Sequence, residues 1–316
     1  MILCKVMAVS SETTDIKKLV LQPLEGALPE WKAGAHVRVV LPAGGDRAYS
    51  LVNLPEIDAG HIVLGVLQEP SGDGGSVYMH SLAEGDRVEI SHPLNRFELG
   101  HHDNTLLIAG GIGITPLLSM AVELANTTQH WQLHYSGRND ASMAFVPALQ
   151  SICGTHLTVH HDNQANALDI AALLEKAPAG THAYVCGPSG MIEAVKSTVA
   201  RLGWSSGRFH YELFNNDSNN DSKTGDENTA FDVEIHATGQ LIHVPADKSI
   251  IEALEDAGLD PLYDCQRGDC GICQCNVIDG IPDHRDLILT DQEKASNSVM
   301  QICVSRAKTP KLVIDL

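Results

Sequence analysis

Asp264-Cys265-Gln266-Arg267-Gly268-Asp269-Cys270-Gly271-Ile272-Cys273 decides how this chain is read. Three cysteines fall at C-x4-C-x2-C, and a fourth, Cys303, follows after 29 intervening residues. That is the plant-type spacing for a [2Fe–2S] cluster held by four thiolates. Gly268 and Gly271 let the loop curl with φ > 0 and aim backbone amides at the cluster sulfurs. Cys303 comes from a distant segment, so a cluster would pin two parts of the fold together. Zinc and disulfides are the competing readings. Structural zinc sites usually pair two short Cys/His units, and one such unit is present. Disulfide frameworks belong to oxidising compartments. Met1 to Ser10 has neither the length nor the cleavage pattern of a secretory signal. Cys275 makes a C-x-C that the spacing does not need, and the expectation is a buried small residue.

Around the loop the order is strand, strand, helix, metal loop, later strands. Phe231, Val233 and Ile235 alternate, Leu241 to Val244 follows, and Ser249 to Gly258 reads as a capped amphipathic helix. This is the order of an α+β, β-grasp ferredoxin domain over 229–316. Ahead of it, 215–228 is polar throughout and reads as a linker. From Phe231 to Leu316 there are 15 Asp/Glu against 7 Lys/Arg, hence a net −8. Such acidity is either a solvated surface or a docking face. The whole chain carries −19, which argues against nucleic acid. With 316 residues, two or three domains of about 100–150 residues fit. No run of about 18 apolar residues appears, so no membrane span is expected, and the expected location is cytoplasmic.

Residues 1–98 carry short alternating runs broken by Gly/Pro/Asp clusters, the pattern of a small antiparallel β-barrel. Residues 99–214 change style. Apolar strands at Thr105–Ala109, Trp131–Tyr135, Leu157–His161 and His182–Cys186 alternate with helical segments, as in a doubly wound α/β sheet. The fold class is therefore multidomain: a β-barrel, a doubly wound α/β domain and a β-grasp domain.

Four motifs precede the cysteines. In Arg47-Ala48-Tyr49-Ser50-Leu51 a strand would place Arg47 and Tyr49 on one face, suited to a phosphate and a flat ring; a surface Arg and a core Tyr read as well. Gly74-Gly75-Ser76 leads into a short helix, either an anion site or an ordinary loop. Gly110-Gly111-Ile112-Gly113-Ile114-Thr115-Pro116 follows a strand and opens a helix, with Pro116 expected at N1. It departs from G-x-G-x-x-G, so another nucleotide geometry is implied. Cys186-Gly187-Pro188 ends the fourth α/β strand, where such sheets bind ligands. Cys186 is either a buried structural thiol or part of a cofactor pocket. The pairs His101-His102 and His160-His161 are expected to be non-functional, since neighbours on a strand point oppositely.

The order of these motifs, with His210-Tyr211-Glu212-Leu213-Phe214 between them and the cluster loop, resembles the ferredoxin–NADP⁺ reductase superfamily fused to a C-terminal ferredoxin. Within it the chain is most similar to the phthalate dioxygenase reductase family, which includes vanillate demethylase and carnitine monooxygenase reductases. The resemblance covers essentially the full chain. It implies FMN held by Arg47, Ala48, Tyr49, Ser50, Val66, Gly74, Gly75, Ser76, Thr115 and Phe214. It implies NADH held by Gly110, Gly111, Gly113, Pro116, Arg138, Cys186, Gly187 and Pro188, with Cys186 near the nicotinamide. Cys265, Cys270, Cys273 and Cys303 would hold the cluster. Val66-Leu67-Gln68 departs from the basic residue that relatives often carry there. The function implied is electron transfer from NADH through FMN and the [2Fe–2S] cluster to a Rieske-type terminal oxygenase. That oxygenase would act on carnitine or another quaternary amine, an aromatic acid or an aryl ether. Competing readings are a reductase for a diiron hydroxylase or a ferredoxin, and a non-enzymatic iron–sulfur redox sensor.

Overall fold

The structure is a computed structural model that describes residues 1–58, 60–70, 72, 74–162, 164–214, 228–263, 268, 271–286 and 288–316. It divides into two compact units, Met1–Asn215 and Asn216–Leu316. The stretch expected as a linker lies outside the described residues apart from Asn228.

The first unit opens with seven strands: β1 (Ile2–Ser11), β2 (Ile16–Pro23), β3 (Ala35–Val40), β4 (Asp46–Ser50), β5 (Ile62–Leu67), β6 (Arg87–Ile90) and β7 (Leu94–Asn95). The path is β4-β3-β6-β1-β2-β5, with β7 on β3, and the paired neighbours run antiparallel. The two path ends meet through an antiparallel bridge between Leu51 and Leu64, which closes the sheet into a barrel. Alternation explains the packing. Every second residue of β6, Val88 and Ile90, is buried, as are Leu19 and Leu21 of β2 and Val37 and Val39 of β3. One helix, α1 (Gly75–Ser81), follows β5.

Next come β8 (Asn104–Gly110), β9 (His130–Gly137), β10 (Leu157–His161), β11 (His182–Cys186) and β12 (Phe209–Glu212), with α2 (Ile114–Ala125), α3 (Val146–Cys153), α4 (Ile170–Glu175) and α5 (Ser189–Arg201) between them. The five strands are parallel in the order β10-β9-β8-β11-β12. The chain moves from β8 outward to β10, then crosses back to β11. That reversal puts a topological switch point between the C-terminal ends of β8 and β11, where open α/β sheets take ligands. Helix α2 is buried almost throughout because it packs between this sheet and the barrel. Ser119 on α2 ties the two: its Oγ donates to Leu51 O at 2.7 Å and accepts from Asn53 N at 2.8 Å.

The second unit holds β13 (Phe231–Ile235), β14 (Leu241–Val244), α6 (Ile250–Asp256), β15 (Gln274–Asp279), β16 (Pro282–Asp283), α7 (Asp291–Ser296), β17 (Val299–Gln301), β18 (Arg306–Ala307) and β19 (Lys311–Asp315). Its sheet runs β14-β13-β19-β15-β17, parallel between β13 and β19 and antiparallel elsewhere, with β16 and β18 paired apart. Helix α6 starts where expected. Ser249 Oγ accepts from Glu252 N and Ser249 N donates to Glu252 Oε2, a capping box worth about 1 kcal/mol. Its apolar face, including Ile250, Ile251 and Leu254, is buried in the same core as the sheet. Buried Arg306 donates to the carbonyls of Lys248, Pro245 and Thr229 and lies over the Phe231 ring, fastening the start of the unit to its end.

Candidate functional site

The barrel motifs converge. A Cβ on Gly75 would lie 2.6 Å from Arg47 Cγ and 3.4 Å from the Tyr49 hydroxyl. The first turn of α1 therefore lies directly against the alternate side chains of β4, and two weak sequence signals become one site. That first turn has backbone N–H groups without intrahelical partners, beside the Arg47 stem and the Tyr49 phenol, while Arg47 Nη1 donates to Asp46 O. Burial pushes the Tyr49 phenol up to about 12 against the opposing pull of Arg47, so its hydroxyl stays a donor. Ser76 Oγ accepts from Glu69 N and donates to Glu69 O, locking the loop entry. Ser50 is 4% exposed and its Oγ has no hydrogen-bond partner among the described residues. A buried hydroxyl without a partner fits a polar ligand that would complete it. Val66 turns its side chain into the barrel core, while its carbonyl accepts from His80 Nε2; it offers shape only. Ala48 is half-buried between Arg47 and Tyr49.

Two residues that the sequence reading did not single out shape the same region. Gly65 on β5 brings the barrel onto the start of α2: a Cβ there would lie 2.8 Å from Thr115 Cγ2 and 2.9 Å from Phe145 Cε2. Phe145 is 2% exposed and holds φ +62, a costly conformation for an aromatic residue. Thr115 Oγ1 donates to Ile112 O, and Phe214, just beyond β12, packs against the apolar cluster around α2. Glu212 and His36 form a buried pair at 4.0 Å that ties β12 to β3.

The nucleotide motifs also meet, at the switch point. A Cβ on Gly113 would overlap the Cys186 carbonyl, and one on Gly110 would lie 2.7 Å from Pro188 Cδ. Gly110-Gly111-Ile112-Gly113 and Cys186-Gly187-Pro188 thus pack against each other, in contact only because side chains are missing, at the switch point where such sheets open a ligand cleft. Pro116 is the third residue of α2 rather than the first, because a 3-10 turn over Gly111–Gly113 precedes the helix. The proline is still tolerated there, since that N–H lacks an intrahelical acceptor anyway. Cys186 has no exposed surface, so what it offers the cleft is backbone. Arg138 is exposed beyond β9, and Asp162 joins the same sheet end, its N–H donating to Gly137 O and its carboxylate accepting from Ser136 Oγ.

In the second unit Cys265 and Cys270 lie outside the described residues. Cys273 and Cys303 are 3% and 6% exposed in one apolar core, brought together where Ile302 N donates to Cys273 O. Gly268 and Gly271 have φ +77 and +75. A Cβ on Gly268 would also lie 2.6 Å from Val304 Cγ2, so both conformation and space demand glycine there. Thiols from two segments, with the loop turned by these glycines, suit a four-thiolate iron–sulfur cluster. Fully buried Gln301 is a neighbour the sequence reading missed: its amide lies 3.5 Å from Cys273 Sγ and donates to Gln274 Oε1. Cys275 is buried as expected, its thiol pushed up to about 12 by desolvation.

Residues 233–308 match the family model of the 2Fe–2S iron–sulfur cluster binding domain. Residues 94–208 match that of the N-terminal domain of dimethylamine monooxygenase subunit DmmA-like proteins. The chain is 45% identical over 297 residues to vanillate O-demethylase oxidoreductase from Pseudomonas sp. (strain HR199 / DSM 7063), covering 92% of each. The chain belongs to this reductase family. It is likewise 38% identical to the carnitine monooxygenase reductase subunit of Escherichia coli (strain K12), covering 99% of this chain and 97% of that one. The solved structure of phthalate dioxygenase reductase, described as modular for electron transfer from pyridine nucleotides to [2Fe–2S], superimposes with a TM-score of 0.75 at 36% identity. It covers 99% of this chain and 97% of that one. Family membership makes the chain an oxidoreductase built from flavin, nucleotide and iron–sulfur modules, and the two cradles and the thiol core fit those groups. No helix among the described residues is long and apolar enough to cross a membrane.

Proposed function

We propose that this chain is the reductase component of a two-component Rieske-type oxygenase, using NADH, FMN and a [2Fe–2S] cluster. Residues 1–98 form the flavin part, 99–214 the nucleotide part and 229–316 the cluster part. The observation that carries the reading is the junction at α2. One helix start, Gly110 to Pro116, borders both the cleft with Cys186-Gly187-Pro188 and, through Thr115 and Gly65, the barrel face. A nicotinamide in the first and a flavin on the second would be neighbours.

FMN, when bound, would supply the means to take a hydride from NADH and release electrons singly, and the cluster would supply one-electron transfer. The chain's residues do the positioning, which is the main protein contribution to hydride transfer. Arg47 offers a fork of donors to the FMN phosphate together with the amides of Gly75 and Ser76. Tyr49 and Ser50 supply hydroxyls to the flavin, Ala48, Val66 and Gly74 supply shape, and Thr115 and Phe214 flank the ring. Gly110, Gly111, Gly113, Pro116, Gly187 and Pro188 admit the nucleotide backbone closely, with Cys186 beneath the nicotinamide end and Arg138 at the adenosine end. Cys265, Cys270, Cys273 and Cys303 hold the cluster as thiolates, which a reducing cytoplasm preserves.

The test is direct. Boiling should release FMN and no FAD, read by chromatography, and NADH should drive reduction of an artificial acceptor faster than NADPH. Released FAD, or no NADH turnover, would contradict the reading; the latter would instead favour a redox sensor. The oxygenase substrate, a quaternary amine or an aromatic acid or ether, is set by the partner.

A further inference from the structure

His102, His182 and His210 meet at the N-terminal end of the five-stranded parallel sheet, opposite the strand ends that carry Gly110 and Cys186. His102 precedes β8, His182 opens β11, and His210 is the second residue of β12, on three adjacent strands. Each contributes a ring nitrogen, and the three nitrogens lie within 4.8 Å of one another. His182 Nδ1 is 3.2 Å from His210 Nε2. The rings of His102 and His182 stack with centroids 3.4 Å apart. Tyr184 completes the group, its hydroxyl 3.0 Å from His102 Nε2 and its ring stacked on His210. Pairwise reasoning about His101-His102 missed this, because His102 lies ahead of its strand and its partners are some 80 and 108 residues away.

We propose that these three histidines form a binding site for a divalent transition-metal ion of the zinc class. Imidazole nitrogens are the donors such ions prefer, at about 2.0–2.1 Å. Two nitrogens on a tetrahedral ion at that distance stand about 3.3 Å apart, which is the His182–His210 separation already present. His102 stands stacked parallel to His182, and because an imidazole lone pair lies in the ring plane it would have to tilt out of that stack to ligate the same ion. A water would fill the fourth position, since the Tyr184 hydroxyl already accepts from Gly100 N and meets His102 Nε2. Burial lowers the pKa of all three rings, His210 to about 4, the direction that favours the uncharged ligating form. The nearby Arg208 guanidinium, which would oppose a cation, is held on the Thr181 carbonyl and over the Trp204 ring. An ion here would clasp the starts of three strands, far along them from the turns at Gly113 and Cys186.

Isothermal titration of zinc chloride into the holoprotein, with flavin and cluster in place, tests the site. Wild type should take up one zinc ion at micromolar affinity or tighter. His102→Gln and His182→Gln should weaken that uptake at least tenfold, and His134→Gln, in the separate His134–His160 pair, should leave it unchanged. No uptake by wild type, or uptake that survives both triad substitutions, overturns the proposal. X-ray absorption at the zinc edge of loaded wild type reads the ligands without any substitution. A shell of three imidazole nitrogens is expected, and sulfur neighbours would move the zinc to cysteines and overturn it as well.

Discussion

Between Met1 and Asn215 the groups facing the proposed cofactors are mostly backbone: the first turn of α1, the turn over Gly110–Gly113 and the Cys186–Pro188 segment. Arg47 sets its side chain against the first of these. Between Asn216 and Leu316 the proposed grip is thiol chemistry, with Cys273 and Cys303 buried in one apolar core and Gly268 and Gly271 at positive φ. The first arrangement spreads affinity over many small contacts that depend on missing side chains. The second, on the proposed ligand set, concentrates it in four thiolates, each of which the cluster would need. Damage to one unit should therefore be graded or steric, and damage to the other all-or-none, with little transmission between them.

Filling the nucleotide cleft should break the first unit most severely. In Gly113→Val the side chain collides with the Cys186 carbonyl, and NADH-driven reduction of ferricyanide should fall about 100-fold or more. Iron content per chain should stay at the wild-type level, and a loss of iron would show that the units are not independent. Arg47→Ala removes a charge-assisted contact worth about 1.5–3 kcal/mol. FMN affinity, followed by flavin fluorescence on dilution, should drop by about 10- to 100-fold, and unchanged affinity would remove Arg47 from the phosphate site. Gly268→Ala probes the other unit. A residue with a Cβ at φ +77, 2.6 Å from Val304, should cost about 1–3 kcal/mol. The expected readout is faster cluster bleaching with flavin content intact.

The smallest effect is one of pH. Burial is the main reason that His134 and His210 are lowered to about 4. In the unfolded chain they titrate near 6.5. Below that, the unfolded chain takes up protons that the folded one refuses, so stability is full above about pH 6.5 and declines as pH falls toward 4. Urea midpoints for the first unit should fall between pH 7 and pH 5, and His134→Gln should flatten the decline. A midpoint that rises on acidification would contradict the burial argument.

Legibility followed the same division. The iron–sulfur domain could be read directly because ligation dictates both residue type and spacing, and Gly268 and Gly271 hold the positive φ expected of them, while Cys265 and Cys270 lie outside the described residues. Most barrel and α/β strands were legible from alternation and apolar runs. β12 was not, since Phe209-His210-Tyr211-Glu212 is short and half-buried along its length. The flavin face was legible only as fragments: nothing in the local sequence says that Gly75 rests on Arg47, because that contact is made by barrel closure. Pro116 was displaced from its expected helix position by a 3-10 turn that glycines permit but do not announce. The histidine triad was hidden for the most general reason, that parallel strands bring together residues with no fixed separation along the chain.

The central claim is a series circuit, in which NADH reduces the flavin and the cluster alone feeds the external acceptor. Anaerobic stopped-flow mixing of the Cys303→Ala protein with NADH, followed by the oxygenase partner, tests it most directly. The account predicts that flavin bleaching keeps its wild-type rate, the cluster signal is gone, and electron delivery to the oxygenase stops. Delivery that persists without the cluster, or flavin reduction that is lost with the fold intact, would contradict it.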